Sequence, residues 1–159
     1  MSKPELEPIE IHYPESDGQP MAETDLHRDL MTDSIGAVRW WFDADPQVYV
    51  SGNMFIYYVE GRPEKNIAPD VFVVRGVAKR RRRTYKVWEE GKGPDVVIEL
   101  SSDSTYEEDL GEKRLKYARL GVKEYYVFDP EGEHVDPPLR GFRLRGGRLE
   151  EVEPDRVEG

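Results

Sequence analysis

The sequence predicts an α/β fold: a sheet flanked by helices, with a small β appendix at its C-terminal end. Three observations carry this. Apolar residues recur at helical spacing between Leu26 and Phe42. Short β-branched runs follow at Val48, Val71 and Val96. A second helical segment, stopped by Gly121, then separates the last of these runs from Glu124-Tyr125-Tyr126-Val127-Phe128. A chain of 159 residues suffices for one domain with one core.

In chain order, residues 1–20 are polar and rich in Pro and Glu, and are expected to form an extended or mobile arm. Residues 21–149 form the expected single domain. Its first helix places Leu26, Leu30, Met31, Ile35, Val38, Trp41 and Phe42 on one face, with His27 turned toward that face, and ends near Asp45-Pro46. Val48-Tyr49-Val50 and Met54–Val59 read as strands, followed by a turn at Glu60-Gly61-Arg62-Pro63. Asp70 opens Val71–Val74 and Asp95 opens Val96–Ile98, both entered through Pro-Asp. Thr105-Tyr106-Glu107-Glu108 has capping-box spacing for one helix running to Leu120. Glu124–Phe128 is the next strand, closed by Asp129-Pro130. Phe142–Leu144 and Arg148-Leu149 pair around Gly146-Gly147 as the appendix, and residues 150–159 read as an acidic tail.

Composition removes several chemistries. Without cysteine there are no disulfides, thiolate metal sites or cysteine nucleophiles. No apolar run reaches the roughly 18 residues of a membrane span, and no apolar secretory segment opens the chain, so a cytoplasmic protein with no membrane partner is expected. The net charge of -10 opposes indiscriminate binding to nucleic acid, but it is unevenly spread. Residues 79–123 carry 12 basic and 9 acidic side chains, whereas residues 1–78 carry 6 and 14. The basic run Lys79-Arg80-Arg81-Arg82-Arg83 lies in the net-positive segment. A hairpin-like connection between the two acidic strands would bring Arg80, Arg81, Arg82 and Arg83 beside them as phosphate contacts; a solvated loop balancing acidic neighbours is equally compatible.

The chemistry points to the acidic residues attached to apolar strands. Burying a carboxylate costs free energy unless something compensates it, and a bound cation is one strong compensation. Alternation along the strand puts Asp95, Val97, Glu99 and Ser101 on one face, with Glu99 near the C-terminal end, where ligands bind in open α/β sheets. On the following helix Lys113 falls between Tyr117 and Leu120, so it can face inward toward the carboxylates. There it can compensate their charge or stabilise charge on a phosphate. Each choice has a plainer counterpart. Asp70 and Asp95 suit accepting backbone hydrogen bonds at strand starts, Glu99 and Lys113 suit a structural ion pair, His27 suits a core position, and Ser101 suits a strand end.

Pro69-Asp70 followed by Glu99 late in a strand resembles the PD-(D/E)xK nuclease superfamily. More specifically, Pro94–Ser101, Asp109-Leu110-Gly111-Glu112-Lys113, Tyr117-Ala118, Gly121-Val122 and Glu124–Pro130 resemble the Uma-two family of restriction-endonuclease-like proteins. The resemblance spans roughly residues 21–145, including Met21-Ala22-Glu23 and His27. It implies a restriction-endonuclease-like core of helix, three strands, helix and strand. It also implies Asp70 and Glu99 as ligands of Mg2+ or Mn2+, and cleavage of DNA with Asp70, Glu99 and Lys113 as catalytic residues. Glu23 and His27 are possible additions from the first helix, and Asp95 and Ser101 from the strand. Ser101 stands where the superfamily carries lysine, and Lys113 is the natural substitute. A homodimer suits cutting both strands of a duplex. The alternative expectation is a noncatalytic module that keeps the fold and binds nucleic acid or a protein partner.

Overall fold

The computed structural model describes residues 8–18 and 24–153. Helix α1 (Asp25–Trp41) begins at Thr24, whose hydroxyl accepts the His27 amide hydrogen bond. Strand β1 (Val48–Ser51) follows. Two short strands, β2 (Ile56–Tyr57) and β3 (Asn66–Ile67), precede β4 (Val71–Arg75) and β5 (Tyr85–Lys86). The short helix α2 (Val87–Glu90) leads to β6 (Val96–Leu100). Helices α3 (Tyr106–Leu110) and α4 (Glu112–Arg119) then cross to β7 (Glu124–Phe128), and a hairpin of β8 (Leu139–Arg145) and β9 (Arg148–Val152) completes the chain.

Six strands form one mixed sheet in the order β1-β4-β6-β7-β8-β9. Only β6 and β7 run parallel, because α3 and α4 carry the chain back between them; the other neighbours are antiparallel. On one face, Val48, Val50 and Val73 pack with Val38 and Phe42 of α1. On the other, Phe72, Val97, Tyr125, Val127 and Phe142 pack with Tyr117 of α4 and with Ile56, Ile67 and Tyr85 of the small sheet. The central strands β4 and β6 are therefore covered on both faces, which is why their runs are apolar with so little alternation.

Several expectations are corrected. The single helix from Thr105 to Leu120 is two helices, broken at Gly111 (φ -107°, ψ -95°), and the Thr105 hydroxyl accepts from the Ser102 amide rather than capping α3. Met54–Val59 contributes only β2, in a separate three-stranded sheet ordered β3-β2-β5. Residues 8–18 carry no helix or strand, in keeping with an extended arm, and they dock on the domain: Tyr13 packs edge-on against Tyr57 and beside Trp88, and the Tyr57 hydroxyl donates to Pro14 O. The sheet continues through Val152, so the first residues of the expected acidic tail are strand. Leu26 and Trp41 lie on the apolar arc of α1 yet are exposed, Trp41 at 75%. Periodicity gives the direction of that arc but not how far the sheet beneath it extends.

Candidate active site

Strand pairing brings the two candidate carboxylates together. β4 and β6 are antiparallel with Val71 opposite Ile98, so the start of one strand lies beside the end of the other. Asp70 immediately precedes β4, and Glu99 is the penultimate residue of β6. Their contacts are reciprocal. The Asp70 amide donates to Glu99 Oε1 at 3.0 Å, and the Leu100 amide donates to Asp70 Oδ2 at 2.8 Å. Gly52 lets the neighbouring loop close over this point: a Cβ there would lie 1.9 Å from Asp70 O, a distance no side chain tolerates.

Each face of the sheet sends a cationic or ring nitrogen to the same end. From α4, Lys113 donates to Glu99 Oε2 at 2.8 Å and to Asp109 Oδ1 at 3.0 Å. From α1, His27 Nε2 donates to Leu100 O at 3.1 Å and lies 3.5 Å from Asp70 Oδ2. Asp109 is buried, and its second oxygen accepts from the Ser101 hydroxyl at 3.0 Å. Tyr117 donates to Glu99 Oε1 at 3.2 Å, and Tyr125 donates to Asp109 O at 2.7 Å.

Glu99 and Asp109 thus share one lysine, with Asp70 beside Glu99. Burial pushes the Glu99 carboxyl up to about 8, and the negative charges of Asp70 and Asp109 reinforce the shift against the opposing pull of Lys113. Desolvation pulls the Lys113 ammonium down, but Glu99 and Asp109 outweigh it and hold the group above its ordinary value. Lys113 is therefore a fixed positive charge rather than a base. Burial, aided by Glu99, also holds the Tyr117 hydroxyl well above its usual value, so it remains a donor.

The other expected residues are placed differently. Asp95 is buried at the opposite end of β6, where it accepts from the Arg75 amide at 2.7 Å and from Lys92 at 2.6 Å, with Lys123 at 3.3 Å. It does not join Asp70 and Glu99. Ser101 does reach the cluster, through Asp109. Glu23 lies outside the described residues. The arginine run leaves the far end of β4, away from Asp70, because the chain exits that strand at Arg75. Arg82 is drawn inward onto Glu90 and over the Tyr49 ring, Arg80 shares Glu90, and Arg83 contacts Glu15. The hairpin that would have set the run beside the carboxylates is absent; the strand's direction forbids it.

Sequence reasoning missed Asp109 and the polar role of Tyr117. Both carried a signal, since Asp109, Lys113 and Tyr117 are spaced by four residues and so share one helical face.

The donor set suits a hard divalent cation. Two carboxylates at adjacent strand ends offer oxygen ligands, and Leu100 O lies at the same point. Burial first, and then the charges of Asp70 and Asp109, raise Glu99, and the like-charge part is the kind a cation relieves. Among the described residues, no group of three or more His, Asp or Glu side chains surrounds a single point.

Comparison with known proteins shows the family and the fold. The model of the family Uma2, described as "Putative restriction endonuclease", matches residues 4–158. A solved structure described as a "putative nuclease belonging to DUF820", from Anabaena variabilis ATCC 29413, superimposes with a TM-score of 0.62. It is 13% identical, and the match covers 91% of this chain and 78% of that one. At that identity the likeness shows the fold, which is consistent with a restriction-endonuclease-like one. No curated protein matches.

Proposed function

We propose that this chain, which belongs to the Uma2 restriction-endonuclease family, is a magnesium- or manganese-dependent endonuclease that hydrolyses DNA phosphodiester bonds. The observation that carries this reading is the meeting of Asp70 and Glu99 at adjacent strand ends, with Lys113 bound to Glu99 from the helix. Asp70 and Glu99 would hold the cation. When bound, it would polarise the scissile phosphate and lower the pKa of an attacking water.

The chain's own residues prepare the site. The Leu100 and Asp70 amides and the Tyr117 hydroxyl fix the two carboxylates in place before any ligand arrives, which avoids reorganisation during reaction. Lys113, kept charged and anchored by Asp109, offers positive charge to the phosphate as negative charge accumulates on it. Its anchoring supports the reading that the lysine displaced from position 101 acts from α4. His27 orients the Leu100 carbonyl and stands beside Asp70. A homodimer would place two such sites on the two strands of a duplex.

The direct test is nicking of supercoiled plasmid with magnesium or manganese. Asp70→Ala and Glu99→Ala should each abolish it. A folded protein that binds the cation yet leaves DNA intact would overturn the reading in favour of a noncatalytic binding module.

A further inference from the structure

The segment that leaves β1 passes beside Asp70. β1 and β4 pair antiparallel from Val48 opposite Arg75 to Ser51 opposite Phe72, and two residues further the same register would set Asn53 opposite Asp70. The chain tightens there instead. The Asn53 amide donates to Pro69 O at 2.8 Å, and Gly52 lies directly against Asp70 O. Backbone contacts thus clamp residue 53 within one residue of a proposed cation ligand.

The conformation at this point is uncommon. Asn53 has φ 51°, in the left-handed region that favours glycine, and at the other eight described residues with positive φ the chain uses glycine. Asparagine enters this region more readily than other side chains, so the turn tolerates it. Glycine would nevertheless make the same turn with less strain, and residues held against their conformational preference cluster at ligand sites. Exposure supplies a second, independent observation. The Glu99 side chain is 2% exposed and that of Asp70 17%, so the carboxylate pair opens to solvent on the Asp70 side. That is where Asn53 stands, and it is exposed. An anionic substrate entering there meets acidic groups, and a carboxamide offers N–H donors to a phosphate oxygen without altering the charge balance around Glu99.

We infer that Asn53 is a substrate-contacting residue, whose side-chain amide donates to a non-bridging oxygen of a DNA phosphate that reaches the carboxylates from the Asp70 side. This rests on the endonuclease reading and adds to it a residue that binds substrate without taking part in the cleavage step.

The test compares the full chain with Asn53→Gly and Asn53→Asp. Asn53→Gly removes the carboxamide and suits the left-handed backbone, so its melting temperature should stay near the parent's. Steady-state nicking in magnesium should show KM raised about tenfold with kcat within about twofold, because a hydrogen bond to a charged group made equally in ground and transition states contributes to binding alone. Asn53→Asp keeps the shape but sets a negative charge against the phosphate, and should raise KM further. A residue that only shapes the turn gives a different pattern: Asn53→Gly nicks as the parent does, or it loses kcat through a displaced Asp70. Either result overturns the inference, and so does a melting temperature of Asn53→Gly well below the parent's, which would make the carboxamide a structural contact. Duplex binding by the same three proteins in calcium without magnesium separates this inference from the reading it rests on. If the parent binds the duplex but does not nick it in magnesium, the endonuclease reading falls alone, and affinity decreasing from parent to Asn53→Gly to Asn53→Asp still supports the contact. Equal affinities with nicking intact sink the contact alone, and a parent that binds no duplex sinks both.

Discussion

Strand β6 carries a buried carboxylate at each end, and the two have opposite surroundings. Asp95 meets two lysines and a backbone amide. Burial pushes its carboxyl upward, but Lys92, the Arg75 amide and Lys123 outweigh it, and the net shift is below the usual value. Glu99 meets one lysine shared with Asp109, and Asp70 stands beside it. Its carboxyl is raised. Both carboxylates are hidden from solvent, but Glu99 lies deeper, and its desolvation together with like charge leaves its charge unsettled where that of Asp95 is settled. Burial alone does not mark a functional site; an excess of like charge that the fold leaves uncompensated does. The arrangement at Asp95 is what a structural carboxylate looks like, and it explains why that residue parts company with Asp70 and Glu99.

Removing charge at each end should break this contrast most visibly. Lys113→Gln leaves Glu99 and Asp109 without the lysine they share and should lower stability by about 3 kcal/mol in urea unfolding, as loss of one partner from a buried pair does. Millimolar magnesium should recover part of that loss. If the variant is as stable as the parent, Glu99 and Asp109 do not depend on Lys113 for balance. Asp95→Ala should lower stability by about 2 kcal/mol, by stranding the Arg75 amide and the Lys92 ammonium, while the nicking activity per folded molecule stays near the parent's. Lost cleavage in a folded Asp95→Ala protein would return Asp95 to the site.

The pH dependence of stability should differ in sign at the two ends. An unfolded glutamate titrates near 4.5, whereas folded Glu99 is held up to about 8, so the native state keeps the extra proton between these values. Its contribution to stability is present below 4.5 and is lost as pH rises through 8. Asp95 behaves oppositely: its contribution is present above 3.8 and is lost as pH falls through its depressed folded value. Thermal melts across pH 4 to 9 should show the upper decline flattened in Glu99→Gln, and countered by magnesium in the parent. A Glu99→Gln protein that declines as steeply as the parent would assign the effect to another group.

The smallest effects sharpen the comparison at its edges. Ser101→Ala should cost about 1 kcal/mol, through the hydrogen bond to buried Asp109. Lys123→Gln should cost no more than about 0.5 kcal/mol, because its side chain is 72% exposed and screened. Chemical denaturation resolves both, and reversal of their order would mean that the Asp95 end relies on its surface lysine more than its geometry suggests.

The sequence carried the local signals well. Helical periodicity located α1, β-branched runs after Pro-Asp located β4 and β6, and a meeting of Glu99 with Lys113 could be expected from alternation and the helical wheel, with Asp70 added through the family resemblance. Asp109 lay one helical turn before Lys113, and that spacing could have flagged it. The break at Gly111 was less legible, since capping-box spacing and an unbroken apolar arc both favour one helix; Thr105 spends its hydroxyl on the Ser102 loop instead. The docking of Tyr13 against Tyr57 and Trp88 could not be read either, because it joins residues more than 40 apart in the chain.

By itself, then, the sequence determined which residues are apolar, which carboxylates are attached to strands, and where helices begin and stop, because these follow from short-range sterics and periodicity. Tertiary structure alone decided the direction in which β4 meets β6. That direction puts Asp70 beside Glu99 and sends Asp95 and the arginine run to the other end. It also decided how the charges add up: one lysine for Glu99 and Asp109 with Asp70 beside them at one end, two lysines for Asp95 at the other. Electrostatic balance depends on distances between strands and layers, and a linear sequence does not contain those distances.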